Sequence, residues 1–418
     1  MYVGLAVEGD IEQTSGGYRY DRRLVEHLAD RGDDVDVVSV PRRTDSGSAA
    51  EPKTKTKTKM KMKTSDSNGP TNETTHAQLN RPYDVLLQDA LCHPTLLKHN
   101  PRLERPRTIV SLVHLLGTDD PATDDHAVRE RERRYLETVD GVVCPSADTR
   151  ERVTSLVSVP VGELPTAVAP PAGRHEGAAL SAAAVGERAR VSPFRIAFVG
   201  NVVPRKNLET LLEALADAGP SLGDWRLTVV GSLEVDSDYA ETVREHAARR
   251  GVDDCTSFEG RVATDRLESI LERAHVLVLP SRYESFGMVA LEAMEYGVVP
   301  IASGVGGADE FVADGRNGAV VDPTDSDAVA ARLERLASDR DRLARLGRRA
   351  LATAAAHPTW DETMATVRAF CRQQRFRAAS ASEADRTSAN AGSGAGASER
   401  VDGGGGGGGD SVVGGDSR

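Results

Sequence analysis

The strongest constraint on the fold is a pattern that occurs twice: short, continuously apolar runs separated by amphipathic stretches long enough for a helix. MYVGLAV opens the chain, YDRRLVEHLADRG follows, and DVDVVSV comes next. Leu24, Val25 and Leu28 fall on one helical face, and Gly32 stands where a C-terminal cap belongs. Strand, helix and strand in this order commit the chain to a crossover connection and a parallel sheet. YDVLLQD, RTIVSLVH and GVVCPS extend the series, with DHAVRERERRYLETV as a helix before the last. The second half repeats the scheme. RIAFVG leads to a helix carrying Leu208, Leu211, Leu212 and Leu215, then come RLTVVG, SFEG, HVLVLP, a helix from about Phe286, and VVPIAS. Strands that are apolar throughout are buried on both faces, as parallel strands are. The expected class is α/β, with two doubly wound domains in tandem.

Composition shifts set the boundaries. A first domain is expected over 1–165, interrupted at 41–81 by a polar, repetitive insertion that reads as disordered. Residues 166–192, rich in Ala, Pro and Gly, read as a linker, and 193–357 as the second domain. A helix over 358–376 (DETMATVRAFCRQQ) is expected to pack back toward the first domain. The remainder, 377–418, ends in a glycine run and reads as a flexible tail.

The net charge of −12 argues against a general nucleic-acid binder, which would present a basic surface. The N-terminus shows no basic leader, and no segment approaches the ~18 to 20 apolar residues of a membrane span. Cys92, Cys144, Cys255 and Cys371 are far apart and lack CxxC spacing, so neither a zinc site nor a disulfide framework is indicated. A cytoplasmic location is the expectation. Six of the eight lysines fall in KTKTKTKMKMK, residues 53–63; only Lys98 and Lys206 lie elsewhere. The basic run reads either as a solvated loop or as a peripheral contact with anionic lipid at the inner membrane face.

The residues that could carry chemistry cluster at strand ends. In PSRYESFGMVALEAMEYG, Glu284 stands at the mouth of a helix and Glu292 about two turns deeper. The amides of Ser285, Phe286, Gly287 and Met288 would be unpaired donors at the helix N-terminus, suited to a phosphate. A buried Glu292 would need donors, and the two hydroxyls of a ribose would serve. The same spacing would also suit a capping glutamate followed by a solvent-facing one. Arg205 and Lys206 precede the next helix after a strand ending at Gly200, where cations could neutralise a diphosphate leaving group or simply be solvated. Gly16 and Gly17 follow the first strand where a backbone anion cradle would lie, but they do not form GxGxxG, which weakens a dinucleotide reading. His114, ending RTIVSLVH, would face the same cleft. The DSD strings at 236–238 and 325–327 read as surface or capping acids rather than as a metal site.

The ordered set FVGNVVPRKNLETLLEAL, LTVVGS, FEGRV, VLVLPSRYESFGMVALEAMEYGVVPIAS and GGADEFVADGRNGAVVDPTD resembles the retaining glycosyltransferase family 4, including its E-x7-E element, and covers nearly all of 195–325. The first half is similar more loosely, through Gly16–Gly17, His114 and VVCPSADTRERV. The resemblance implies a GT-B fold, in which two Rossmann-like domains face a central cleft. It implies transfer from a nucleoside-diphosphate-sugar to a glycan, lipid-linked or small-molecule hydroxyl, with no metal or other cofactor required. Glu292 would then hold the ribose, and Glu284 would lie against the donor sugar. The amides of Phe286 to Met288 would meet sugar and diphosphate, and Arg205 and Lys206 would neutralise the diphosphate. The segment at Arg261 and Val262 would meet the base, Gly17 would sit by the diphosphate, and His114 near the transferred sugar. One departure is Asn201, where many members carry Arg directly after the strand's glycine. A non-hydrolysing nucleotide-sugar epimerase and a non-catalytic nucleotide-sugar-binding protein are the alternatives on the same fold.

Overall fold

The computed structural model describes residues 1–41, 72–119, 126–157 and 164–393. The lysine repeat at 53–63 and the glycine run at 403–409 lie outside the described residues. The first sheet contains β1 (Tyr2–Glu8), β2 (Asp34–Val40), β3 (Val85–Asp89), β4 (Ile109–Leu112), β5 (Gly141–Cys144) and β6 (Thr166–Val168), in the order β2-β1-β3-β4-β5-β6. The second contains β7 (Phe194–Val199), β8 (Trp225–Val230), β9 (Thr256–Gly260), β10 (Val276–Leu279), β11 (Val299–Ser303) and β12 (Ala319–Val321), in the order β12-β11-β10-β7-β8-β9. Every neighbouring pair in both sheets is parallel.

Helices cover both faces. The first half supplies α1 (Gly16–Asp30), α2 (Asn72–Leu79), α3 (His93–His99), α4 (His126–Leu136) and α5 (Ala147–Val157). Then follow α6 (Ala182–Arg188), α7 (Leu208–Leu222), α8 (Ser237–Arg249), α9 (Thr264–Arg273), α10 (Met288–Glu295), α11 (Ser326–Ser338), α12 (Arg340–Ala355) and α13 (Trp360–Ser393). Each sheet has a core on either side. In β1, Leu5 packs with Leu24 and Leu28 of α1 on one face, while its neighbour Ala6 packs with Leu86 on the other. The leucine stripe of α7 is wholly buried, as its spacing requires.

Three boundaries differ from the sequence reading. The insertion expected over 41–81 ends in α2, whose Thr75 and Leu79 are buried. The 166–192 linker contains β6, which completes the first sheet, and α6, which packs on α12. The last helix was expected to give way to a tail at 377, and it continues to Ser393. Asp236 and Asp325, from the two DSD strings, cap α8 and α11 by accepting from the amides of Tyr239 and Ala328 at 3.0 and 2.8 Å. Among the described residues no helix is long and apolar enough to cross a membrane.

Met1–Arg375 forms one compact unit. Within it, the first turns of α13 return to the first sheet: Trp360, Met364, Val367, Phe370 and Cys371 join the core beside α1. The Trp360 indole donates to Gly173 O at 2.9 Å, so a polar tether fixes where this face lands. Truncating Phe370 should therefore weaken the first half. Phe370→Ala is expected to cost about 3 kcal/mol, the usual range for a buried aromatic, read as a lowered unfolding midpoint; an unchanged midpoint would show that α13 is dispensable to this core.

Candidate active site

In an open parallel sheet, ligands bind outside the carboxyl ends of strands where the strand order reverses. The first sheet reverses at β1, flanked by β2 and β3, and the second at β7, flanked by β8 and β10. A cavity of about 270 Å³ lies where the two sets of loops meet. After β1 it is lined by Ser15, Gly16, Gly17 and Tyr20, and after β3 and β4 by Leu91 and His114. The second sheet contributes Arg205 and Lys206 after β7, and Glu284 to Val289 after β10. Gly16, Gly17, His114, Arg205, Lys206, Glu284, Ser285, Phe286, Gly287 and Met288, far apart in the chain, thus share one space.

The loop after β7 delivers its cations from a short 3-10 turn, Pro204–Lys206, ahead of α7. The next residue, Asn207, adopts a left-handed conformation (φ 52°) and is buried. Its side-chain amide donates to Pro280 O at 3.0 Å and Pro323 O at 2.6 Å. That amide, together with the Arg282 N–H donating to Arg205 O at 2.8 Å, fastens the β7 loop to the β10 loop. Lys206 Nζ donates to Glu284 Oε1, which also accepts from Ser281 Oγ at 2.7 Å. Arg205 Nη1 donates to Tyr283 O at 2.8 Å and lies 4.0 Å from Glu284 Oε2. Burial pushes the Lys206 pKa down, Arg205 adds to the fall, and Glu284 offsets part of it. Burial also opposes the charged form of Glu284, but Lys206 and Arg205 outweigh it and hold the carboxyl below its ordinary range.

Two helix N-termini face the cavity. Gly16 and Gly17 are the first two residues of α1, not a loop ahead of it, and the first intrahelical bond is made by the Arg19 amide to Ser15 O. A Cβ on Gly17 would sit 3.0 Å from the His114 ring and would press on it by a few tenths of an ångström, so glycine lets helix and imidazole meet closely. The other helix, α10, starts at Met288 rather than at Phe286. Gly287 stands at φ 89°, outside helical space, and becomes the N-cap. The amides of Gly287, Met288 and Val289 precede the first bond, from the Ala290 N–H to Gly287 O at 2.9 Å. Amides of Gly16, Gly17, Gly287 and Met288 at two helix starts, with two cations beside them, are groups of the kind that suit an anion.

Three sequence candidates lie outside the lining. Arg261 and Val262 follow β9, two strands from β7; Arg261 is exposed and Val262 is half-buried against the core. Glu292 is buried, but guanidinium groups rather than hydroxyls satisfy it: Arg19 of α1 donates to Oε1 and Arg174 to Oε2 at 3.3 Å. Asn201, the departure from the family pattern, is exposed, and its side-chain Oδ1 accepts from the Ser232 amide at 3.3 Å.

Several site residues escaped the sequence reading. Asp21 is fully buried, and its Oδ1 lies 2.9 Å from His114 Nε2. Asp89, at the end of β3, is also fully buried. One ligand atom from each of Asp21, Asp89 and His114 lies within 4.8 Å of the others, a grouping able to hold a metal. The Asp21–His114 hydrogen bond already engages the ring nitrogen, and we read the three as an acid–imidazole cluster. Tyr283 bridges the halves, its hydroxyl donating to Asp148 Oδ2 at 3.1 Å. Glu310 caps α5 from the second half, accepting from the amides of Ala147 and Asp148 at 2.6 and 3.1 Å.

Comparison with known proteins agrees with this geometry. A family model described as "Glycosyl transferases group 1" matches residues 186–353. A GDP-mannose-dependent alpha-(1-6)-phosphatidylinositol monomannoside mannosyltransferase of Mycobacterium tuberculosis is 35% identical over 181 residues, 42% of this chain and 46% of that protein. The chain thus spans less than half the length of that relative. A D-inositol 3-phosphate glycosyltransferase of Kribbella flavida is 30% identical over 299 residues, covering 63% of this chain and 69% of the relative. Among solved structures, sucrose-phosphate synthase from Thermosynechococcus elongatus superposes with a TM-score of 0.70 at 23% identity, covering 89% of this chain and 98% of that one. Anabaena HepE in complex with UDP-glucose gives 0.66 at 16% identity, covering 89% and 99%. At such identities the structural likeness speaks for the fold alone, which is GT-B. By the matched family model and the length shared with the Kribbella protein, the chain belongs to the group 1 glycosyl transferases.

Proposed function

We propose that the protein is a retaining glycosyltransferase of family 4, which moves a sugar from a nucleoside-diphosphate-sugar to an acceptor hydroxyl. One observation carries the reading: two cations and two helix N-termini from opposite sheets converge on a single cavity. A diphosphate there would lie against Lys206, Arg205 and the Gly287–Met288 amides. As the glycosidic bond breaks, negative charge develops on the departing phosphate, and donors already in place stabilise it without reorganising. These cations do for the leaving group what a metal ion would do elsewhere, so catalysis is proposed to need no metal.

Lys206 is suited to this because Glu284 holds its ammonium at the cavity wall. Glu284, with both oxygens engaged by cations, is a poor nucleophile, which favours front-face attack by the acceptor over a covalent glycosyl-enzyme. The first sheet's wall, with His114 and Gly17, would receive sugar and acceptor. Closure of the halves would keep water from hydrolysing the donor. The relatives' donors and complexes, GDP-mannose in one case and UDP-glucose in another, support a nucleotide-sugar without choosing the base. A glycan, lipid-linked or small-molecule acceptor, a cytoplasmic site of action and a peripheral membrane contact through residues 53–63 belong to the same proposal.

For Glu292 to hold a ribose, the sugar's hydroxyls must replace Arg19. Base contacts through Arg261 and Val262 would lie farther along the same carboxyl edge.

Thermal-shift screening with UDP-, GDP-, ADP- and dTDP-sugars should single out one base, since a ligand stabilises the fold with the logarithm of its excess over Kd; no shift with any of them counts against the reading. Glu292→Gln is expected to weaken donor binding roughly tenfold, the worth of one hydrogen bond to a charged group, measured by calorimetry. Lys206→Ala should instead lower turnover by ~10² or more with a smaller change in donor KM; unaltered turnover would remove Lys206 from the reaction. Wild-type activity should survive chelation, and a requirement for added divalent metal would contradict the mechanism.

A further inference from the structure

Asp21 interrupts an otherwise apolar stripe. It occupies the position that, with Leu24 and Leu28, runs down the buried face of α1, and its side chain is fully buried. An ionised carboxylate in such a place must be paired. Its Oδ1 meets His114 Nε2 at 2.9 Å, while its Oδ2 is buried without a partner. Asp89 comes to the same spot from the end of β3, with Oδ1 accepting from the Leu91 amide at 2.9 Å and Oδ2 likewise buried and unpartnered. Two buried carboxylates therefore share one imidazole. A carboxylate only accepts, so Nε2 must carry the proton of the Asp21 bond. The other nitrogen, Nδ1, has no hydrogen-bond partner among the described residues, and the ring lines the cavity.

We propose that Asp21 is a positioning residue for glycosyl transfer: it anchors the His114 ring through Nε2, so that Nδ1–H is a fixed hydrogen-bond donor to a substrate oxygen rather than a general base. This inference rests on the transferase reading of the cavity. If the ring were neutral, Nδ1 would present a lone pair and could take the acceptor's proton. Charge balance decides between the two forms. Around His114 stand Asp21 and Tyr20 on α1 and Asp89 at the end of β3, with Glu8 and Cys92 near Asp89 and Cys144 near Tyr20. Lys206, Arg205 and Glu284 lie across the cavity. Among the described residues the charged groups that act on the ring are Asp21 and Asp89, both carboxylates, so an imidazolium there is attracted and not repelled. Burial opposes the charged ring, but Asp21 and then Asp89 outweigh it and raise its pKa to about 9. Burial lifts Asp89 to about 7, with His114 holding the rise down. A protonated ring has no lone pair to act as base, and it pulls electron density from any oxygen it touches. The acceptor hydroxyl must then lose its proton elsewhere, and the departing phosphate oxygen is the group whose basicity grows during the reaction.

The test uses the full chain with labelled histidine, titrated by NMR from pH 5 to 10. The His114 signal is assigned by its loss in His114→Gln. The wild-type ring should titrate with a midpoint near 9. In Asp21→Asn the midpoint should fall to about 6.5 or lower, the ordinary imidazole value further reduced by burial. The alkaline limb of kcat/KM should follow it downward, with donor KM within about threefold of wild type because donor binding rests on the other wall. A wild-type midpoint at or below 7 overturns the proposal, as does a midpoint indifferent to Asp21→Asn. Should that variant fail to fold, the wild-type titration still decides. The titration needs no substrate: a high midpoint without turnover of any nucleotide-sugar would sink the transferase reading, and with it Asp21's role in transfer.

Discussion

The site depends on the buried pair of Lys206 and Glu284. Their side chains are only 14% and 12% exposed, and they come from loops after β7 and β10, adjacent strands at the reversal point of the second sheet. Taking two charges out of water costs several kcal/mol per ion, and mutual attraction repays it only when the geometry is good and the remaining valences are met. Here they are met. Ser281 donates to the carboxylate, Arg205 stands 4.0 Å from its other oxygen, and Asn207 locks the two loops together. A pair of this kind adds little net stability. What it fixes is the place of an ammonium group at the cavity wall, beside the amides that open α10. Lys206, its pKa lowered by burial, is short of solvation there, and an arriving anion would supply the missing partner.

The second feature is the seam between the halves. Glu310 caps α5 across it, Tyr283 reaches Asp148, and Arg19 of α1 binds Glu292 of α10. These three contacts are polar, as expected of a surface whose parts can separate, while Met288 of α10 adds an apolar contact to the first half's core. The Arg19–Glu292 pair sits where the proposed ribose would bind, so apo chain and donor would compete for the same carboxylate. A guanidinium on Glu292 satisfies a charge that would otherwise be buried and unpaired, and a sugar's two hydroxyls would have to do as well.

Much of this was legible in the chain. The continuous apolar strands gave both sheets, because parallel strands covered on both faces have no polar side to show. The cations and helix amides could be placed because strand ends locate the ligand crevice before any coordinate is known. The missed elements had too little signal of their own. β6 and β12 have three residues each, too few for a periodicity, and α2 lies in NETTHAQL, where polar residues hide a helix that buries Thr75 and Leu79. The Arg19–Glu292 contact joins residues 273 apart and depends on how the halves meet, which no local pattern encodes. Asp21 did leave a trace, a carboxylate on an apolar stripe. That mismatch between a residue and its face was the available pointer to the His114 cluster.

The central claim is that one crevice, built from both sheets, takes the diphosphate of a nucleotide-sugar. A structure of the protein with a nucleoside diphosphate bound tests it most directly. The account predicts phosphate oxygens within hydrogen-bond reach of Lys206 Nζ and of the Gly287 and Met288 amides, with a ribose hydroxyl on Glu292 and Arg19 displaced. A diphosphate bound away from the α10 N-terminus, or a ribose that leaves Arg19 on Glu292, would contradict it.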